Sequence, residues 1–307
     1  MKLAHTAKEI DTMGRKVSLC IGFFDGVHLG HQQIMRQTIA DARRFDALSA
    51  VVTFDLHPST VVAPERTPLL IHSLPQRLRA IESMDADALL MIHFDKPLSE
   101  RTGEEFIRSL HADFGRIQSI CVGNGFTFGH KRSGNVTMLS TLGGELGFNV
   151  HGLASVALGG ETISSTRIRE TIRTGGFDLA GEMLGRAYAL NGEIIHGDRL
   201  GHGLGFPTAN LNTQGLVLPP NGVYTVQAYI RNSRHNGLVN IGARPSIKNS
   251  TLQIRAEVHL LDFNGDIYGE EMEIVFKEKI REEMKFNSLE DLKKQIAKDV
   301  VEARKRF

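Results

Sequence analysis

The chain has 307 residues, 41% of them hydrophobic and 23% charged, which is ordinary for a soluble globular protein and long enough for two domains. Its 36 basic side chains nearly balance 35 acidic ones, so no whole-chain field favours nucleic acid or an anionic membrane. No apolar run approaches the ~20 residues of a membrane span, and the N-terminal stretch MKLAHTAKEIDTMGRK lacks an apolar core of signal-peptide length, so a cytoplasmic protein is expected.

The first half alternates short apolar runs with helical patterns. Strands are expected at Val17–Ile21, Ser49–Phe54, Ala88–His93, Ser119–Val122 and Asn149–Leu153. Helices are expected between them at Gly30–Arg44, Pro75–Met84, Gly103–Asp113 and Val136–Leu146. That order predicts a Rossmann-like parallel sheet covered by helices, with ligands at the carboxyl ends of the strands. Segments 22–31, 54–58 and 123–134 each follow such a strand and could share a pocket. Cys20 and Cys121 have no metal-ligand spacing and read as buried thiols rather than a disulfide.

The most informative stretch is Gly22-Phe-Phe-Asp-Gly-Val-His-Leu-Gly-His31, where an apolar strand gives way to a helix. Such a junction presents backbone N–H groups and the positive end of the helix dipole, which favours phosphate. His28 and His31 can donate hydrogen bonds to a phosphoryl group without a fixed charge; the plainer reading is two solvated histidines at a helix start. Farther on, Ile163-Ser-Ser-Thr-Arg-Ile-Arg169 opens another helical pattern. Ser164, Ser165 and Thr166 offer hydroxyls, and Arg169 lies one turn into the helix, a set that suits either N-capping or an anion.

Near Thr174-Gly175-Gly176 the pattern changes, and after a short helix at Phe177–Leu184 the chain becomes rich in Gly, Val, Ile and Tyr. Strands at Tyr188–Ile195, Val223–Ile230, Gly237–Ile241, Ile254–Leu260 and Glu271–Phe276 predict an antiparallel sheet or small barrel. Turns are expected at Gly192, Asn221-Gly222, Asn236-Gly237 and Asn264-Gly265. A final helix has Ser288 as its N-cap and Leu289, Leu292, Ile296 and Val300 on one face. We divide the chain into domains 1–180 and 181–307. In the second, Gly201, Gly203 and Gly205 alternate, leaving amides uncovered for phosphate, and Thr208 and Asn210 present neutral oxygens able to share a Mg²⁺ with ATP; the alternative is a glycine-rich hairpin without a ligand. Alternation along Gln253–Leu260 places Arg255, Glu257 and His259 on one face, and a Glu257 carboxylate lining a barrel interior or mouth could accept a proton from a hydroxyl.

In order and spacing these motifs resemble the bacterial bifunctional riboflavin kinase/FMN adenylyltransferase (FAD synthetase) family over nearly the whole chain. GFFDGVHLGH and ISSTRIR are similar to the two motifs of its nucleotidyltransferase-like N-terminal domain. LGFPTANL, Asn240–Ser246, AEVHLLDF and Lys285-Phe286 are similar to its antiparallel β-barrel riboflavin kinase domain, which ends in a helix. The resemblance implies phosphorylation of riboflavin to FMN by MgATP, then transfer of AMP from ATP to FMN to give FAD and pyrophosphate. It implies Glu257 as general base of the kinase and Thr208 and Asn210 as ligands of Mg²⁺ and phosphate. His28, His31 and Arg169 would stabilise the adenylyl transfer. ATP and phosphate contacts are implied for Gly22, Phe23, Asp25, Gly26, Gly30, Ser164, Ser165, Thr166, Gly201, Gly203, Gly205 and Pro207, and flavin contacts for Asn124, Phe126, His57, Arg281 and Phe286. Two departures stand out. Gly125 occupies a position where the family usually has aspartate or asparagine, unless Asn124 substitutes, and Leu56 stands where proline is common. The Gly125 departure motivates an alternative: a riboflavin kinase whose weakened N-terminal domain only binds nucleotide or FMN. Partners are then riboflavin, FMN, FAD and ATP, with no nucleic acid and no membrane.

Overall fold

Strands that are apolar on both faces pair in parallel beneath helices, and all five residues of Val17–Ile21 are buried. The structure, a computed structural model, describes residues 1–196, 203–231, 233–245 and 252–307. By their internal contacts residues 1–69 and 74–165 form one compact unit, and residues 70–73 and 166–307 a second.

In the first unit β1 (Lys2–Ala4) and β2 (Val17–Ile21) are followed by α1 (Leu29–Arg44), β3 (Leu48–Phe54), the short α2 (Ser59–Val62), α3 (Leu74–Glu82) and β4 (Ala88–Ile92). Then come α4 (Lys96–Ser99), α5 (Gly103–Phe114), β5 (Ile117–Gly123), α6 (Val136–Leu146) and β6 (Asn149–Leu153). The six strands make one parallel sheet in the order β1-β4-β3-β2-β5-β6. Leu19 and Ile21 of β2 pack with Phe106, Leu110 and Leu139 from α5 and α6, whereas Cys20 packs on the other face with Met35, Ile39 and Ile81 from α1 and α3. Because β2 lies between β3 and β5, the winding reverses beside it, and the loop at its carboxyl end sits at the switch point where open α/β sheets bind ligands. Every strand and helix expected in this half is present; β1, α2 and α4 are too short to show a period.

A small antiparallel hairpin, β7 (Ala157–Leu158) with β8 (Glu161–Thr162), precedes α7 (Ser165–Arg173) and α8 (Phe177–Leu184). The second unit then closes an antiparallel barrel from β9 (Ala189–Ile195), β10 (Ala209–Leu211), β11 (Gly222–Ile230), β12 (Ser233–Pro245), β13 (Leu252–Leu260) and β14 (Glu271–Arg281). Two expected turns are strand interiors. Asn236-Gly237 lies inside β12, and the chain turns instead between Ile230 and Ser233, which pair across the hairpin. Gly192 lies inside β9. Both glycines answer a close approach rather than a turn: a Cβ at 237 would stand 2.7 Å from the His259 carbonyl oxygen, and one at 192 would stand 2.2 Å from that of Asn212. The final helix, α9 (Leu289–Arg304), is capped by Ser288 and meets the barrel through Val300 and Ala303, while Leu289, placed by the sequence pattern on the same face as Val300, is exposed.

Candidate active sites

The loop from Gly22 to His28 has a backbone that few residues adopt. Phe24, Gly26 and Val27 have φ of 56°, 81° and 41°, and for the β-branched Val27 this is a strained conformation. Hydrogen bonds hold the loop in place. The Phe23 carbonyl accepts from the Thr53 hydroxyl at 3.1 Å and from Arg77 at 3.2 Å, and the Gln32 amide donates to the Val27 carbonyl at 2.9 Å. Ser165 donates to the Asp25 carbonyl at 3.1 Å, so the two phosphate-type motifs of the sequence meet. Asp25 itself is buried.

His28 caps α1, its Nδ1 accepting from the His31 N–H at 3.4 Å. The two rings stack with centroids 3.6 Å apart, and Gly30 leaves the space beside His28 clear, since a Cβ there would stand 3.2 Å from that ring. Loss of solvent, and then the neighbouring His28, hold His31 well below the usual imidazole range. Its Nδ1 is buried and has no hydrogen-bond partner among the described residues. A neutral imidazole can hydrogen-bond a ligand without bringing a charge of its own.

Next to Gly22 and Phe23 opens a cavity of about 770 Å³ walled by Phe54, Phe94, Phe106, Phe126 and Phe128. His57 lines it and meets the Phe23 ring edge-on at 4.7 Å, and the exposed cations Arg101, Lys131 and Arg132 border it. Flat aromatic walls with a few polar groups suit a planar heterocycle. The structure therefore brings Gly22, Phe23, His57 and Phe126 together. Asn124 is elsewhere: its Oδ1 lies over Gly152, only 2.4 Å from where a Cβ would stand. A Cβ at Gly125 would meet nothing within 4 Å. Ser164 is half-buried in the first unit, whereas the exposed Thr166 and the buried Arg169 of α7 count with the second.

In the second unit the site is built by strand register. Glu257 of β13 pairs with Asn210 of β10 on one side and with Asn240 of β12 on the other. Residues on one rung share a face of the sheet, so a carboxylate stands between two carboxamides. This face is opposite to the packed interior: Ala256, Val258 and Leu260 are buried, and Arg255, Glu257 and His259 are half-buried. The interior placement considered for Glu257 is thereby corrected, because a six-stranded barrel fills its narrow centre with side chains. The Asn210 Oδ1 is buried without a hydrogen-bond partner among the described residues.

The segment entering β10 is anchored to the same face. His259 Nδ1 contacts the Pro207 carbonyl at 2.8 Å, and Thr208 borders a cavity of about 290 Å³ with Val258, Leu260 and residues 263–268. Gly205 is left-handed at φ 86°, with open space around it and around Gly203; Gly201 lies outside the described residues. Arg281 and Phe286 lie together, guanidinium to ring at 5.9 Å, but the arginine fork is engaged by Asp299 of α9 at 2.8–3.0 Å. Among the described residues no cluster of three or more His, Cys, Asp or Glu forms a metal site. Cys20 and Cys121 are register neighbours, buried and unbridged, and burial raises both thiols, Cys121 to about 12.

Sequence reasoning missed three residues. Thr53 and Arg77 reach the first loop from another strand and another helix, with no local pattern to mark them. Asn240 joins the rung only through the register of β12, which the misplaced turn at 236–237 concealed.

Residues 11–167 match the family model for FAD synthetase and residues 184–307 that for riboflavin kinase. The bifunctional riboflavin kinase/FMN adenylyltransferase of Haemophilus influenzae is 38% identical over 291 residues, 94% of each chain. That of Escherichia coli K12 is 36% identical over 290 residues, covering 94% of this chain and 92% of its own. A solved chain described as a macrolide-efflux protein from Streptococcus pneumoniae superimposes with a TM-score of 0.81 at 28% identity, over 98% of both chains. Among the described residues no helix is long and apolar enough to cross a membrane.

Proposed function

The chain belongs to the bifunctional riboflavin kinase/FMN adenylyltransferase family, and we propose that it makes FAD from riboflavin in two ATP-dependent steps at two separate sites. The observation that carries this reading is the coexistence, in one chain, of a stacked histidine pair at a sheet switch point and a Glu257 rung on a barrel wall. We assign residues 1–180 to adenylyl transfer, residues 181–307 to phosphorylation, and the whole to the cytoplasm.

At the barrel site Glu257 takes the proton of the ribityl 5′-hydroxyl as its oxygen attacks the γ-phosphorus of ATP, giving FMN and ADP. Thr208 and Asn210 are assigned to the Mg²⁺ that accompanies ATP. The donor set fits, because the Asn210 oxygen, buried and without a hydrogen-bond partner among the described residues, and a hydroxyl are neutral ligands for an ion whose charge ATP largely balances. Bound there, Mg²⁺ would neutralise charge on the phosphates. Gly201, Gly203, Gly205 and Pro207 are assigned to the phosphates, and Arg281 and Phe286 to the flavin.

At the first site an FMN phosphate oxygen attacks the α-phosphorus of ATP as the bond to pyrophosphate breaks. The reacting phosphate is itself the nucleophile, so the protein supplies alignment and charge stabilisation. His28 and His31 donate to the transferring phosphoryl group; Gly22, Asp25, Gly26, Gly30 and the motif from Ser164 to Arg169 are assigned to binding ATP. The aromatic cavity, with Phe23, His57 and Phe126, takes the isoalloxazine; Asn124 would join it only at the edge. A chromatographic time course with riboflavin, ATP and Mg²⁺, beside one started from FMN, tests the reading: FMN should precede FAD in the first, and FAD should form in the second. FMN accumulating alone in both would leave only the kinase.

A further inference from the structure

Arginine is seldom fully buried, yet Arg77 of α3 is 2% exposed. Its guanidinium donates to the backbone carbonyls of Phe23 at 3.2 Å, Phe54 at 2.5 Å and Asp55 at 3.4 Å, and lies 4.0 Å from the centroid of the Phe23 ring. These carbonyls lie where the chain leaves β2 and β3, two neighbouring strands of the sheet, with Phe54 the last residue of β3. Burial draws the Arg77 group down to about 10, with Asp25 and Asp55 opposing, so it stays a cation at neutral pH.

What the cation ties together is the working edge of the first site. Phe23 and Phe54 both wall the aromatic cavity, and Phe23 meets His57. Immediately after Phe23 the chain turns left-handed at Phe24, then again at Gly26 and Val27, before His28 starts α1. A loop in such conformations keeps its shape only if its surroundings over-determine it. Arg77 and Thr53 grip the same carbonyl at the point where the strained stretch begins.

We propose that Arg77 is a positioning residue for adenylyl transfer: through the Phe23, Phe54 and Asp55 carbonyls and the Phe23 ring it sets the cavity wall against the histidine loop, and so aligns the flavin phosphate with ATP. The assignment rests on the adenylyltransferase reading above. Arg77 acts through the backbone and touches neither substrate. Lysine cannot replace it, because one ammonium cannot span carbonyls on two loops and also lie flat on a ring.

The test uses the full chain, with FAD formation from FMN and MgATP, and riboflavin phosphorylation by the same preparation as an internal control. Arg77→Lys should raise KM for FMN about tenfold with a smaller loss of kcat, and Arg77→Ala should lose ~10²-fold in kcat/KM, the scale of a misplaced reacting group. Millimolar guanidinium ion should restore part of the Arg77→Ala activity, and phosphorylation should be unchanged. An unaltered KM in Arg77→Lys, or a loss in kcat alone that tracks unfolded protein without rescue, overturns the assignment and leaves Arg77 a core residue. Should Arg77→Ala fail to fold, Thr53→Val, which removes the other donor to the Phe23 carbonyl, should raise KM for FMN several-fold; no change would equally overturn it. A wild-type chain that makes no FAD from FMN, while still phosphorylating riboflavin, removes the reading beneath the proposal and the proposal with it.

Discussion

The two sites are constructed in opposite ways. In the first unit the residues proposed to handle phosphate are sequence neighbours on one loop, and distant residues such as Thr53, Arg77 and Ser165 hold that loop's backbone in a strained shape. In the barrel the backbone is regular β-strand, and the proposed site is a rung of Asn210, Glu257 and Asn240, far apart in sequence and aligned by register. The first site depends on a loop conformation, the second on strand pairing. Side-chain substitutions should therefore divide cleanly between the two activities, whereas backbone perturbations should damage whichever unit contains them.

The sharpest break in this comparison is Glu257→Gln. Removing the one carboxylate on its rung should reduce FMN formation by ~10²–10⁴-fold, the range for a general base, and leave FAD synthesis from supplied FMN intact; loss of both activities in a folded protein would contradict two separate sites. The converse is His31→Ala, for which FAD formation should drop at least ~10²-fold, a typical scale for a lost transition-state donor, while phosphorylation persists. An unchanged FAD rate would remove His31 from the mechanism.

A backbone perturbation sharpens the contrast. Gly192→Ala places a Cβ 2.2 Å from the Asn212 carbonyl oxygen, a backbone atom that cannot swing aside. The expected cost is about 1–3 kcal/mol, as for an overpacked core, read as phosphorylation failing on heating at a lower temperature than in the wild type, with FAD formation little changed. Smaller still is Gly125→Asp. Nothing lies within 4 Å of the new Cβ, so the side chain enters without strain. FAD formation should rise several-fold if a missing ligand-facing group limits it, the net scale of one hydrogen bond being about 0.5–1.5 kcal/mol; no gain would mean that another group already fills the role.

Legibility in the sequence follows the same contrast. The first site was readable because its groups are local: GFFDGVHLGH carries loop, cap and histidines together, and β2, α6 and β6 fall at their expected residues. Its supports were not, since Arg77 looks like any helical arginine and Thr53 like any strand threonine. In the barrel the alternation around Glu257 was readable, but its partners were not. Gly237 looked like a turn residue when its real function is to let β12 approach β13, and that hid the strand carrying Asn240. Nor does a strand's own alternation say which face is the packed interior; that depends on barrel closure, a property of all six strands.

The smallest expected effect is an absence of change. His31 is held well below the usual imidazole range by loss of solvent and by the stacked His28, so lowering the pH from 7.5 to about 6.5, the ordinary imidazole midpoint, should leave it neutral in the folded protein. The unfolded chain does take up that proton near 6.5. It therefore binds more protons than the native state below that point, and the His31 contribution makes folding less favourable as pH falls from about 6.5 toward the depressed native midpoint. The FMN phosphate itself titrates near 6, which would blur a pH–rate profile. The cleaner measurement is an NMR titration of the imidazole ring protons, with the His31 signal identified by its loss in His31→Gln. No midpoint should appear between pH 6 and 7.5. A midpoint near 6.5 would make His31 an ordinary exposed histidine, and the first site would then carry a titrating charge rather than the neutral His31 on which its contrast with the Glu257 rung depends.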